Sequence, residues 1–222
     1  MKKQVVVVAG GKGLRMNAGI PKQFIEVGGK PILMHTLERF HGFDSQIDII
    51  LVLPEEQFGY WKELCKKHNF DVPFRLQCGG KERFDSVKNG LQLVEKNTLV
   101  AVHDGVRPFV SCETLSRCFS MAKEKGNAVP VIDMVDSVRR VDSSQNSEQE
   151  DRGSLKLVQT PQVFLSDVLL SAYAQKFDSK FTDDASVVES IGENINLVEG
   201  NRENIKITTE FDLKIAQILL EE

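Results

Sequence analysis

Val5-Val6-Val7-Val8-Ala9-Gly10-Gly11-Lys12-Gly13-Leu14-Arg15-Met16, continuing through Asn17-Ala18-Gly19-Ile20 to Pro21-Lys22, decides how the rest of the chain is read. An unbroken β-branched run that stops at Gly10, Gly11 and Gly13 predicts a strand buried on both faces, feeding a loop whose backbone approaches a ligand closely. Bare amides in such a loop bind anions, and Lys12, Arg15 and Lys22 add cations to the same stretch. The expected ligand is a phosphate; the plainer reading is a strand-to-helix turn with solvated basic residues. Two familiar glycine loops do not fit. A P-loop needs Ser or Thr after its lysine, where Gly13 follows Lys12, and a dinucleotide fingerprint needs a small residue where this chain has Met16. What remains is a nucleotide loop in which an arginine and a lysine face the phosphates.

Outward from this loop, strand-like runs recur at Ile47–Leu53, Phe74–Gln77, Leu99–His103 and Ala128–Val131. Between them lie segments of helical period at Ile32–Phe40, Glu55–His68, Arg83–Leu93 and Thr114–Lys125, the first opened by Pro31 in the first turn. This alternation predicts an α/β fold of Rossmann-like type, a mostly parallel sheet with helices on both faces. Ligands of such sheets bind beyond the carboxyl ends of the strands, which puts the glycine loop and the His103–Pro108 loop in one crevice. The segment 134–158 departs from the pattern. Weak alternation through Val135, Val138 and Val141, a polar stretch Asp142–Gly153, and renewed alternation in Leu155–Val158 predict a protruding hairpin arm with a long polar tip; a flexible surface loop is the alternative. Helices are expected at Asp167–Phe177 and Asp183–Ile191, strands at Asn194–Val198 and Asn204–Ile207, and a last helix capped by Thr209 with Asp212. The chain reads as a single domain over 1–222, with the arm at about 134–158.

With 28 basic against 32 acidic residues and a net charge of −4, nothing attracts nucleic acid or an anionic membrane in general, so a polyanion site must be local. The apolar run from Val5 to Ala9 is shorter than the roughly 7–15 residues of a signal-peptide core and the roughly 20 of a membrane helix. The expected compartment is the cytoplasm. Cys65, Cys78, Cys112 and Cys118 show no zinc-ligand spacing and read as free thiols.

Gly-Gly-x-Gly-x-Arg-Met followed by Pro-Lys-Gln resembles the nucleotidyltransferases that join a nucleoside triphosphate to a sugar or polyol phosphate. Gly79-Gly80-Lys81-Glu82-Arg83-Phe84-Asp85-Ser86-Val87, His103-Asp104-Gly105-Val106-Arg107-Pro108, Thr160-Pro161-Gln162 and Asn204-Ile205-Lys206-Ile207-Thr208 narrow the match. In order and over nearly the whole chain, they are similar to the 2-C-methyl-D-erythritol 4-phosphate cytidylyltransferase family of the non-mevalonate isoprenoid pathway. The resemblance implies transfer of CMP from CTP to a polyol phosphate with release of pyrophosphate, Mg2+ as cofactor, and a homodimer joined through the arm. Such a reaction needs no general base, because the attacking phosphate oxygen is already an anion; it needs cations that bring two polyanions together. That requirement accounts for a site rich in Arg and Lys without a Ser-His-Asp or Cys-His set.

By resemblance, Arg15, Lys22 and Lys206 are the catalytic cations at the α-phosphate. A guanidinium grips two phosphate oxygens, while Lys22 after Pro21 is an aimed point charge. Without the resemblance, Lys206 reads as the solvent-facing residue of a strand whose Ile205 and Ile207 point to the core. Ala9, Gly10, Gly11, Gly13, Gly80, Ser86 and Asp104 are implied to bind the nucleotide, with Gly80 and Ser86 at the cytosine-reading turn; capping of a helix is the plainer role for Asp85 and Ser86. Lys81 departs from the family's frequent acidic residue at its place. Asp104 is implied to hold the metal, directly or through water, and Arg107, Ser137, Arg152 and Thr160 to bind the second substrate. Arg152 is expected to do so across the dimer interface, the alternative being a surface ion pair with Asp151. An apparent insertion of about three residues around Ile132–Val135 bears on the placing of Ser137. His103 reads as structural rather than as a ligand or base. A ribitol 5-phosphate cytidylyltransferase is the rival enzyme and a non-catalytic nucleotide-binding module the rival class; the retention of Arg15, Lys22 and Lys206 favours catalysis.

Overall fold

The computed structural model describes residues 1–10 and 20–221. Along the chain, β1 (Lys3–Val8) leads through the ribbon β2 (Glu26–Val27) and β3 (Lys30–Pro31) to α1 (Ile32–Phe43), β4 (Asp48–Leu53), α2 (Phe58–Lys67), β5 (Arg75–Cys78), α3 (Arg83–Leu91) and β6 (Leu99–Asp104). Then follow α4 (Cys112–Lys125), β7 (Asn127–Asp133), β8 (Val138–Val141), β9 (Ser147–Glu150), β10 (Lys156–Val158) and β11 (Gln162–Leu165). Helices α5 (Ser166–Ala172) and α6 (Asp184–Glu189), strand β12 (Leu197–Glu199) and α7 (Glu210–Glu221) complete it.

The main sheet runs β10-β7-β11-β6-β1-β4-β5, with β12 beside β7. β1 is parallel to β4 and β6, and β4 to β5, while β11 enters antiparallel between β6 and β7. Strands covered on both faces must be apolar throughout, as the valines of β1 are. Alternate residues serve opposite layers. Val5, Val7, Ile49 and Leu51 pack with Leu33, Leu37 and Phe40 of α1, Trp61 of α2 and Leu115 of α4. Val6, Val8, Ile50 and Val52 pack with Phe84 and Val87 of α3, Leu169 of α5 and Val188 of α6. α3 lies close on this second face because Gly90 has no side chain: a Cβ there would sit 2.6 Å from Val6 Cγ1.

Several expectations need correction. Residues 204–207 form no strand: the Ile207 N–H donates to Val106 O at 3.0 Å, and one such bond does not make a ladder. The expected strand at Asn194–Val198 is confined to β12, and the helix expected over Asp167–Phe177 ends as α5 at Ala172. Pro31 caps α1 from outside instead of sitting in its first turn. The arm is a hairpin of β8 and β9, Val138 opposite Glu150 and Val141 opposite Ser147, with its turn at 142–146. β10 is not the arm's returning strand: it pairs antiparallel with β7, Lys156 opposite Asp133 and Val158 opposite Val131. Its alternating residues thus extend the main sheet at the arm's root. β11 was not expected, since its apolar run is only Val163-Phe164-Leu165 behind Pro161. The last helix is capped as its sequence predicts, with the Asp212 N–H donating to Thr209 Oγ1 at 3.2 Å and the Thr209 N–H to Asp212 Oδ2 at 2.8 Å.

Candidate active site

β1 and β6 end side by side, Val8 opposite Asp104, and the chain beyond each is tied back: Ala9 N–H to Val52 O at 3.0 Å and Gly105 N–H to Val8 O at 2.9 Å. Beyond these ends lies a crevice of about 630 Å3, lined on one side by Ala9, Gly10 and Lys22, on the other by Gly79–Ser86 residues, and at its floor by Asp104 and Lys206. Gln23 of the short turn after Pro21 is buried and donates from Nε2 to Ala9 O at 2.7 Å and to Gln57 Oε1 at 2.8 Å. This fixes Lys22 next to the strand end. Gly11, Gly13 and Arg15, expected at the same wall, lie outside the described residues.

The opposite wall is a turn at which β5 passes into α3. Gly79 N–H donates to Leu53 O at 2.8 Å, Gly80 N–H donates to Ser86 Oγ at 3.0 Å, and the Ser86 hydroxyl donates to Glu82 O at 3.1 Å. A Cβ on Gly80 would lie 2.3 Å from Asp85 Cβ, so only glycine allows the turn to rest on the helix start. Asp85 caps that helix, its Oδ2 accepting the Glu82 N–H at 3.1 Å, as the plainer reading of its sequence holds. Ser86 serves the turn itself and lines the crevice.

Asp104 gathers three cations: Lys206 Nζ at 3.0 Å and Arg107 Nε at 3.2 Å from Oδ2, and Arg83 Nε at 3.7 Å from Oδ1. Burial alone would raise the pKa of this carboxyl, but the field of Arg83, Lys206 and Arg107 holds it well below the usual carboxylate range, so it stays ionised. Lys206 approaches from the irregular segment after β12 and remains 43% exposed, its ammonium turned to the crevice, while Ile207 beside it is buried. Arg107 lies beneath instead of in the lining, its Nη1 donating to Asn204 O at 2.8 Å and its side chain 12% exposed.

His103 is buried against Phe40, and burial lowers its pKa to about 4. Its Nε2 faces Arg107 O at 3.0 Å, so the proton of the neutral ring sits there and Nδ1 accepts from the Thr160 hydroxyl at 3.1 Å. Thr160 Oγ1 in turn accepts the Asp104 N–H at 3.1 Å. Thr160 is thereby placed otherwise than expected: it is buried, with its hydroxyl engaged by protein on both sides, and it steadies the end of β6 from below. A neutral buried histidine held by two bonds is the structural residue that the sequence predicts.

The arm carries Ser137, which is exposed, and Arg152; neither lines the crevice. Arg152 Nη1 donates to Val135 O at 2.6 Å beside a groove that also holds Lys156 and Arg202, while Asp151 Oδ1 accepts the Gly153 N–H at 3.0 Å, so each of the pair has its own local partner. Two further residues support the site without a clear mark in the sequence. Arg83 stands inside the Gly79–Val87 motif with nothing local that sets it apart. Asp184, fully buried, receives Arg83 Nη1 at 3.0 Å and Nη2 at 2.7 Å. The doubled acid Asp183-Asp184 was its only signal: one carboxylate caps α6, which leaves the second to be explained.

Lys22 and Lys206, which line the crevice beside one ionised carboxylate, can hold phosphate groups in place and offset charge as it builds on them. Comparison with known proteins agrees in kind. Residues 4–222 match the family model of 2-C-methyl-D-erythritol 4-phosphate cytidylyltransferase. The enzyme of that name from Bacteroides fragilis is 57% identical over 220 residues, 99% of this chain and 100% of the relative. Its counterpart from Bacteroides thetaiotaomicron is 56% identical with the same coverage. Among solved structures, the 4-diphosphocytidyl-2C-methyl-D-erythritol synthase of Anaerococcus prevotii superposes with a TM-score of 0.84 at 28% identity, covering 100% of this chain and 96% of its own. The 2-C-methyl-D-erythritol 4-phosphate cytidylyltransferase of Thermus thermophilus gives 0.78 at 29%, with 100% of both chains covered.

Proposed function

Since this chain belongs to the 2-C-methyl-D-erythritol 4-phosphate cytidylyltransferase family, we propose that its crevice transfers CMP from CTP to 2-C-methyl-D-erythritol 4-phosphate, releasing pyrophosphate. The observation that carries this reading is the convergence of Lys22, Lys206 and the Gly79–Gly80 turn on one crevice around Asp104. An oxygen of the acceptor's phosphate attacks the α-phosphorus of CTP, the α–β bridging bond breaks, and pyrophosphate leaves with the electron pair. The nucleophile is an anion, so no side chain need take a proton, and His103, neutral and buried, is not placed to do so. Lys22 and Lys206 act by position and charge, with Arg15 as their expected third. Ala9, Gly10, Gly11 and Gly13 are assigned to the phosphates of the nucleotide, and the turn that holds Gly80 and Ser86 to its base.

Among the described residues no cluster of three metal-ligating side chains occurs, and Asp104 already holds two cations on one oxygen. That donor set fits Mg2+ arriving with the triphosphate and keeping most of its waters, with Asp104 as its contact through water, and not a metal caged by protein. The ion would neutralise charge on the phosphate oxygens. Arg107, Ser137 and Arg152 are assigned to the acceptor, Arg152 from the neighbouring subunit of a homodimer. Supporting the dimer, Val135, Val141, Leu157 and Val158 at the arm and its root are all about half exposed, an apolar surface that a second arm would cover. No helix among the described residues is long and apolar enough to cross a membrane. The cysteines there are free, which suits the reducing cytoplasm proposed as the site of action.

The test is pyrophosphate release with CTP and Mg2+, supplied in parallel with methylerythritol 4-phosphate or ribitol 5-phosphate at limiting concentration. Preference for the first acceptor is expected. Preference for ribitol 5-phosphate overturns the acceptor while keeping the phosphate site, and silence with both overturns catalysis.

A further inference from the structure

We propose that Asp184 is a tether for Arg83: by occupying both ends of that guanidinium it keeps the cation off Asp104 and leaves Asp104 Oδ1 open to donors on the bound substrates. The proposal rests on the reading of the crevice as the cytidylyl-transfer site. The two oxygens of Asp104 are treated unequally. Oδ2 takes Lys206 at 3.0 Å and Arg107 at 3.2 Å, whereas the cation that Oδ1 meets among the described residues is Arg83, in a loose approach of Nε at 3.7 Å. The reason lies behind Arg83, where Asp184 binds it in bidentate fashion at 3.0 and 2.7 Å. Asp184 is itself fixed: it is fully buried, it opens α6, and the Tyr173 hydroxyl donates to its Oδ1 at 2.6 Å.

Loss of the Asp184 charge would leave a guanidinium whose side chain is 32% exposed, with Asp104 as the other carboxylate beside it. Moving from 3.7 Å to a charge-assisted hydrogen bond of about 2.8 Å takes a shift of about 1 Å. Asp104 would then be closed on both oxygens. Asp184 therefore acts through Arg83 as a positioning residue. A purely structural clamp between α3 and α6 is the competing account.

The test compares Asp184→Asn, Arg83→Met and the double variant, each checked for folding by circular dichroism and thermal melting. Asp184→Asn is expected to lower kcat about thirtyfold with KM for CTP within about threefold, and its crystal structure to show Arg83 hydrogen-bonded to Asp104 Oδ1. Removing the freed cation should restore activity, so the double variant should exceed Asp184→Asn at least about fivefold in kcat. A double variant at or below Asp184→Asn, or an Arg83 that stays in place, overturns the tether in favour of the clamp. If Asp184→Asn does not fold, the double variant is compared with Arg83→Met instead. Equal kcat supports the tether, since without the cation Asp184 has nothing to restrain, and a further loss overturns it. Failure of the wild-type protein to release pyrophosphate would overturn the catalytic reading itself, separately from the crystallographic result on Arg83.

Discussion

Lys206 Nζ lies 3.0 Å from Asp104 Oδ2, joining the carboxyl end of a central strand to an irregular segment that no ladder holds. The ion pair aims the ammonium into the crevice without burying it. The ammonium is half exposed and the buried carboxylate keeps Arg107 and Arg83 as partners, so this pair adds little to the stability of the fold and its value lies in orientation.

Replacement of Lys206 by Met is accordingly expected to leave the melting temperature nearly unchanged and to lower kcat about a hundredfold, with a smaller change in KM for CTP. Steady-state kinetics over a range of CTP concentrations checks this. A rise in KM at unchanged kcat would show that Lys206 binds ground state and transition state alike.

Thr160→Val should damage the site from beneath. It leaves the Asp104 N–H and His103 Nδ1 without their shared partner, at a cost of about 1–3 kcal/mol for each buried group stranded. Urea unfolding should register the loss, and Thr160→Ser should recover most of it. Loss in Thr160→Val of acceptor affinity alone, with stability intact, would return Thr160 to direct substrate contact.

His103 gives the protein a pH dependence of definite sign. Burial lowers its folded pKa from 6.5 to about 4, so the folded state resists protonation more than the unfolded one. The stability this contributes is present above about pH 6.5 and is lost as pH falls toward 4, a change of about 3 kcal/mol. Between pH 7 and 4.5, wild type should therefore lose more unfolding free energy than His103→Gln. Parallel losses in the two proteins would place a different group behind the acid sensitivity.

The arm allows a test by mixing. If Arg152 serves the partner's crevice, an Arg152→Ala chain and a Lys22→Ala chain, each nearly inactive, should regain activity as heterodimers, one of whose two sites is intact. Co-purification through two tags isolates the mixed species, and absence of recovery in it removes the action across subunits.

Much of this molecule was legible in advance where one physical rule acts alone. Strands buried on both faces must be apolar, which located β1, β4 and β6, and a glycine loop with basic residues after β1 located the crevice. The floor was less legible. Asp184 and Asn204 gain their roles from partners about a hundred residues away, Arg83 and Arg107, and no local pattern records such pairs. Lys206 was placed through the resemblance; its strand was wrong, because alternation of Ile205 and Ile207 records burial of one side and not hydrogen bonding to a neighbour. The arm's root was misjudged for the same reason: Leu157 alternates with its neighbours whether it pairs with β7 or with β8.

The insertion of β11 between β6 and β7 has a consequence for synthesis. As the chain leaves the ribosome, β1, β4, β5 and β6 can assemble early, but β6 keeps an open edge until residues 162–165 emerge. Until then β7 has nowhere to join that sheet, and the arm is made before the layer that anchors it. A released chain that ends at residue 161 should thus be cut by protease within 127–158 before it is cut within β1, β4, β5 and β6, and during synthesis the whole crevice should first exist only once Lys206 is free of the exit tunnel.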